Sequence, residues 1–98
     1  MSAYLIFNYT ITDPEAYKAY PRAAMSAMAG SGAEVLVADY ASETVENAPG
    51  TVTVLLKFES KDAARAWYES DAYQAAKPLR TATTTGSVVL CDGFEMPA

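Results

Sequence analysis

The order of strand-like and helix-like stretches along these 98 residues is β-α-β-β-α-β, which predicts an α+β domain. Two observations carry that expectation. Tyr4–Ile11 and Thr51–Phe58 are strand-length runs of β-branched and aromatic residues. Two longer stretches, entered at Asp13 and Ser60, repeat apolar residues at helical spacing behind good N-caps. Helices of this length between short strands give a four-stranded antiparallel sheet with both helices on one face, the ferredoxin-like plan. Residues 1–98 form a single domain, since two would each be too small to bury a core.

Taken in order, Tyr4–Ile11 (YLIFNYTI) places Leu5, Phe7, Tyr9 and Ile11 on one face and Tyr4, Ile6, Asn8 and Thr10 on the other. Both faces are apolar enough to need cover. Asp13-Pro14-Glu15 then starts a helix: Asp13 caps, Pro14 fits the first turn and Glu15 complements the dipole. The helix is expected from Ala16 to about Ala29, with Tyr17, Tyr20, Ala24 and Met28 in register. A kink or break is expected at Pro21, and Gly30-Ser31-Gly32 ends the element. Val35–Tyr40 is a second strand, Ala41–Gly50 a polar loop, and Thr51–Phe58 a central strand with Val52, Val54, Leu56 and Phe58 inward.

The stretch Phe58–Arg80 holds much of the aromatic mass. Ser60 caps a helix in which Ala63, Ala64, Trp67 and Tyr68 form a stripe. Ser70-Asp71 reads as a second cap, so two short helical pieces are expected, the second carrying Tyr73, Ala76 and Leu79. Thr81–Gly86 reads as a connector and Ser87–Asp92 as the last strand. With both helices on one face, Tyr4, Ile6 and Leu55 lie uncovered on the other. The simplest cover is a second copy by two-fold symmetry, so a homodimer through the open sheet face is expected.

Composition excludes several functions. The chain is 51% hydrophobic and 19% charged, which is globular and not disordered. Seven Lys and Arg against twelve Asp and Glu give a net charge of −5, with the cations scattered. That disfavours a nucleic-acid partner or an anionic membrane surface. Cys91 is the single cysteine, so no internal disulfide forms, and the N-terminal apolar run is strand-length. A cytoplasmic location is the expectation. There is no histidine, the side chain best suited to proton shuttling near neutral pH and to binding zinc, copper or iron. Neither a metal site nor a cofactor is implied.

The segments ITDPEAY (Ile11–Tyr17) and FESKDAARAWYESDAYQAAKPLR (Phe58–Arg80) resemble the family known as domain of unknown function 1330, over nearly the whole chain. The most specific part is the run Ala64-Arg65-Ala66-Trp67-Tyr68, followed by Ser70 and by Tyr73-Gln74. The resemblance implies a ferredoxin-like fold in the dimeric α+β barrel superfamily, which includes small-molecule monooxygenases, isomerases and dehalogenase-like enzymes with a pocket between sheet and helices. The family itself has no established activity. This chain departs from the pattern between first helix and second strand. There Ser31–Tyr40 carries Glu34 and Ala38 where relatives often have arginines, and Asp39-Tyr40 in place of a glycine pair.

Candidate ligand-binding residues follow from both lines of reasoning. Arg80 matches a family arginine and can receive a carboxylate or enolate bidentately, or else favour the C-terminal end of its own helix. Trp67, Tyr68, Tyr73 and Tyr17 can line an aromatic pocket or simply form the core stripe, and Tyr20 is read in the same way. Asn8, mid-strand, must be hydrogen-bonded and is expected at the subunit interface. Asp13 is a cap and a candidate proton carrier; Cys91 is a small buried hydrophobe. No catalytic residue is assigned. Two functions remain open: a small-molecule binder with cofactor-independent proton-transfer chemistry, and a non-catalytic homodimeric module of structural or regulatory type.

Overall fold

The computed structural model describes residues 1–97, with strands β1 (Ala3–Ile11), β2 (Glu34–Asp39), β3 (Val52–Phe58) and β4 (Thr84–Asp92). Helices α1 (Pro14–Tyr17) and α2 (Ala19–Met28) connect β1 to β2, and α3 (Lys61–Tyr68) and α4 (Asp71–Thr81) connect β3 to β4. The sheet order is β2-β3-β1-β4, with all pairings antiparallel. This is the expected ferredoxin-like plan. Both crossovers lie on one face, and β1 and β3 are central as their two-sided apolar character requires.

Alternation along β1 sets the two faces. Leu5, Phe7 and Tyr9 are buried beneath the helices, while Tyr4, Ile6 and Asn8 on the other face are half-buried. Tyr9 stands opposite Gly86, where a Cβ would lie 2.5 Å from the Tyr9 Cα. Glycine is needed there because two chains approach closely, not because of its φ.

Three expectations are corrected. The first helix breaks at Lys18 and not at Pro21. Restarting at Ala19 leaves Pro21 in a first turn, where its missing N–H has no helical partner to lose. The last strand begins at Thr84, three residues before Ser87, because Thr84, Thr85 and Gly86 pair with Ile11, Thr10 and Tyr9. The β-branched side chains of Thr84 and Thr85 suit a strand as well as a connector. Asn8 is satisfied within its own chain: Nδ2 donates to the Gly50 carbonyl (3.1 Å) and Thr53 Oγ1 (2.9 Å), and Oδ1 accepts from Gly50 N (2.9 Å). The amide thus pins the end of the β2–β3 loop to the centre of the sheet.

The caps fall where the sequence puts them. Asp13, Ser60 and Ser70 accept from the backbone N–H of Ala16, Ala63 and Tyr73 respectively. The joint at Ser70 turns α4 so that Tyr73, Ala76 and Arg80 all face the core. Among the described residues, no helix is long and apolar enough to cross a membrane.

Candidate functional site

An aromatic cluster fills the space between sheet and helices. Trp67 from α3 packs on Tyr73 from α4 (ring centroids 4.3 Å) and on Phe58 from β3 (5.6 Å). Its indole N–H donates to the Ala27 carbonyl at 3.0 Å, tying α3 to the end of α2. Tyr17 and Tyr20 extend the cluster across the α1–α2 break, their centroids 5.7 Å apart. Helical spacing brings the two rings to one face although the helix itself is interrupted.

The hydroxyls are paired. Tyr9 Oη and Tyr17 Oη lie 2.6 Å apart, and Tyr20 Oη and Tyr73 Oη 2.7 Å apart. Arg80 joins the second pair: Nε donates to Tyr73 Oη at 3.3 Å and Nη2 to Tyr68 Oη at 3.2 Å. Its guanidinium lies over the Phe7 ring at 5.4 Å and the Tyr20 ring at 6.0 Å, within cation–π range. Arg80 is only 7% exposed. Among the described residues no carboxylate lies within ion-pair distance of it.

Burial and the neighbouring hydroxyls set the protonation states. Burial pushes the pKa of Tyr17 well above the usual phenol range, and the nearby Tyr40 and Tyr9 add to it. Tyr20 is raised in the same way, by burial and by Tyr73. Burial also raises Tyr9, partly offset by its bond to Tyr17. These three hydroxyls therefore keep their protons and do not serve as bases. For Arg80, burial opposes the charge, but the Tyr73 oxygen and the surrounding tyrosines outweigh it, and its pKa is raised. The cation persists.

Two openings flank this cluster. A cavity of about 90 Å³ lies between α2 and the β2–β3 half of the sheet, lined by Phe7, Tyr9, Tyr20, Met28, Tyr40 and Trp67 among others. On the opposite side, Tyr68, Ala64, Leu5, Val88 and Leu90 line an open groove of about 270 Å³ beside β4. Arg80 lies behind both and lines neither, reaching the cavity through Tyr73 and Tyr20 and the groove through Tyr68.

Of the sequence-derived candidates, Arg80, Trp67, Tyr68 and Tyr73 are brought together. Tyr17 is buried one ring away, bonded to Tyr9 and not on the cavity wall. Asp13 is exposed at the start of α1, capping Ala16, and lines neither opening. Phe7, Tyr9, Tyr40, Met25 and Met28 line the cavity without having been singled out as ligand contacts. The inward alternation of β1 is the signal that could have found Phe7 and Tyr9. Tyr40 follows an edge strand whose exposed residues gave no such signal. No group of three or more potential metal-ligating side chains occurs among the described residues.

Sheet topology, helix placement and the enclosed aromatic cluster define a ferredoxin-like α+β protein of the type seen in several solved structures. The RPA0582 protein of unknown function from Rhodopseudomonas palustris superposes with a TM-score of 0.76 at 13% identity, covering 97% of this chain and 84% of that one. A putative antibiotic biosynthesis monooxygenase from Caulobacter crescentus gives 0.66 at 22% identity, covering 96% and 91%. A conserved protein from Methanosarcina mazei gives 0.63 at 15%, covering 92% and 88%. At these identities the likeness is one of fold. The chain belongs to the family described as domain of unknown function (DUF1330), which matches residues 2–94. A search of curated proteins found no relative.

Proposed function

We propose that the protein binds a small organic molecule, anionic or aromatic, between its sheet and helices, and does so as a homodimer joined through the open sheet face. Any reaction it carries out is proton transfer without a cofactor. The observation that carries this reading is Arg80, a buried cation with no carboxylate partner, set among aromatic rings beside a cavity. A charge in that position costs folding free energy, and a role at a ligand site, exerted through the tyrosine hydroxyls it bonds, explains its retention. The hydroxyls backed by Arg80 would stabilise negative charge developing on a bound oxygen. No carboxylate lines the cavity, so the residues present suit electrophilic stabilisation better than base catalysis. The dimer is supported by the open face, where Tyr4, Ile6 and Leu55 are half-buried and Val89 is 52% exposed.

One observation favours the alternative, a homodimeric structural or regulatory module. Every buried side-chain nitrogen and oxygen among the described residues has a hydrogen-bond partner, so the cluster is complete as a core. Native mass spectrometry with a panel of small carboxylates and aromatic acids separates the two. A dimer that carries ligand stoichiometrically, and loses it in Arg80→Ala, supports binding. A dimer indifferent to the panel supports the module, and a monomer removes the case for the open-face interface.

A further inference from the structure

In each tyrosine pair two hydroxyls share one hydrogen bond, so one proton is left over. For Tyr9 and Tyr17 no guanidinium donates to either oxygen to decide which keeps it. For Tyr20 and Tyr73, Arg80 decides. Its Nε donates to Tyr73 Oη, and a guanidinium has no acceptor to take a proton in return. Tyr73 is 0% exposed, and the acceptor within reach of its own proton is Tyr20 Oη at 2.7 Å. Were Tyr20 the donor, the Tyr73 proton would be buried without a partner, which is the costlier arrangement. Tyr73 therefore donates to Tyr20. The Tyr20 proton is left for the cavity, which Tyr20 lines together with Tyr9, Tyr40 and mostly apolar side chains.

We infer that Tyr20 is the cavity's hydrogen-bond donor, and that the chain Arg80–Tyr73–Tyr20 selects a small uncharged ligand with one acceptor oxygen, such as a ketone or aldehyde carbonyl, on an apolar body. This rests on the proposed small-molecule reading and replaces its anionic or aromatic ligand with a neutral carbonyl compound. Arg80 does not line the cavity, so a carboxylate there would be stripped of water among Phe7, Trp67 and Met28 without meeting the guanidinium. A carbonyl has far less hydration to lose. Each bond in the chain also points the same way, outward from the cation, so each strengthens the next as a donor. A cavity of roughly 150 Å³ holds benzene, so about 90 Å³ suits a smaller body such as a four-membered ring. Arg80 and Tyr73 are positioning residues here, and Tyr20 touches the ligand.

Trp67 is the sole tryptophan and lines the cavity, so its indole N–H signal in ¹⁵N–¹H NMR reports occupancy. Three probes are titrated: cyclobutanone, its isostere methylenecyclobutane, and cyclobutanecarboxylate. The expected result is a preference of about ten-fold for the ketone over the alkene, as one hydrogen bond confers. In Tyr20→Phe both should still bind, with the preference gone. In Tyr73→Phe the preference should shrink without vanishing, because Tyr20 keeps its hydroxyl but loses its fixed direction. Thermal unfolding of each variant confirms that the fold is retained. A ten-fold preference surviving in Tyr20→Phe, or no ketone preference in the wild type, overturns the inference. Binding of the carboxylate alone, lost in Arg80→Ala, overturns it while leaving the small-molecule reading intact. If no probe moves the Trp67 signal of the folded wild type, both readings fall.

Discussion

The two tyrosine pairs are built alike and behave differently. Both are buried, both have short O···O distances, and they adjoin through the Tyr17–Tyr20 ring contact. Tyr9–Tyr17 has no charged hydrogen-bond partner among the described residues, so it is a bolt between β1 and α1. Tyr20–Tyr73 is joined to Arg80, which gives its hydroxyls a direction and, with it, a chemical use. Under the proposed reading, identical side chains become core or site according to one neighbouring cation.

The largest expected effects test the claim that both pairs are core. Tyr73→Ala, which empties a fully buried position between Trp67 and Tyr20, should cost about 3–5 kcal/mol in denaturant unfolding. A loss under about 1 kcal/mol would mean that the cluster is loosely packed. Alkaline pH comes next. Tyr9, Tyr17 and Tyr20 have folded pKa values raised above that of the unfolded phenol, chiefly by burial. Their protonated forms are favoured in the folded state, so their contribution is whole below pH ~10 and lost above it. Each such group should lower stability by about 1.4 kcal/mol per pH unit beyond that point. Urea unfolding at pH 9 and pH 11 measures the slope; a flat profile would contradict the buried, protonated pairs.

Hydroxyl deletion separates the pairs more finely. Tyr9→Phe leaves one oxygen, that of Tyr17, without its partner. Tyr73→Phe leaves two groups, the Tyr20 hydroxyl and Arg80 Nε. Each orphaned group costs about 1–3 kcal/mol when it stays dry. Tyr73→Phe should therefore destabilise more than Tyr9→Phe, and equal losses would mean that the bond from Arg80 to Tyr73 carries no net stability.

Strand alternation, the three caps and the glycine stop made the fold legible, because each is a local rule acting over a few residues. Where the reading failed, non-local geometry won. The Pro21 ring is harmless once the helix restarts at Ala19, and Thr84–Gly86 becomes strand only because β1 is beside it. Asn8 could be seen to need partners, but Gly50 and Thr53 are 42 and 45 residues away in sequence. The site was legible as a composition, with Arg80, Trp67, Tyr68 and Tyr73 on one stretch. Its wiring was not. Tyr17 and Tyr20 look equivalent in the sequence, yet of the two it is Tyr20 that lines the cavity and is paired with the tyrosine Arg80 bonds.

The smallest expected stability change is the one that best separates site from core. Arg80→Met keeps the length and apolar bulk of the stem while removing a desolvated charge. It deletes two hydrogen bonds, but Tyr73 retains its bond to Tyr20, and the half-buried Tyr68 hydroxyl can turn to water. Replacing buried ionic groups with apolar residues of similar volume is often neutral or stabilising. Arg80→Met should therefore fall within about 1 kcal/mol of wild type in denaturant unfolding, while the ketone preference weakens as the hydrogen-bond chain loses its cation. A loss above roughly 2 kcal/mol would mean that the two bonds from the guanidinium carry substantial net stability. Arg80 would then be holding α4 to the sheet, and the second pair would be a bolt like the first.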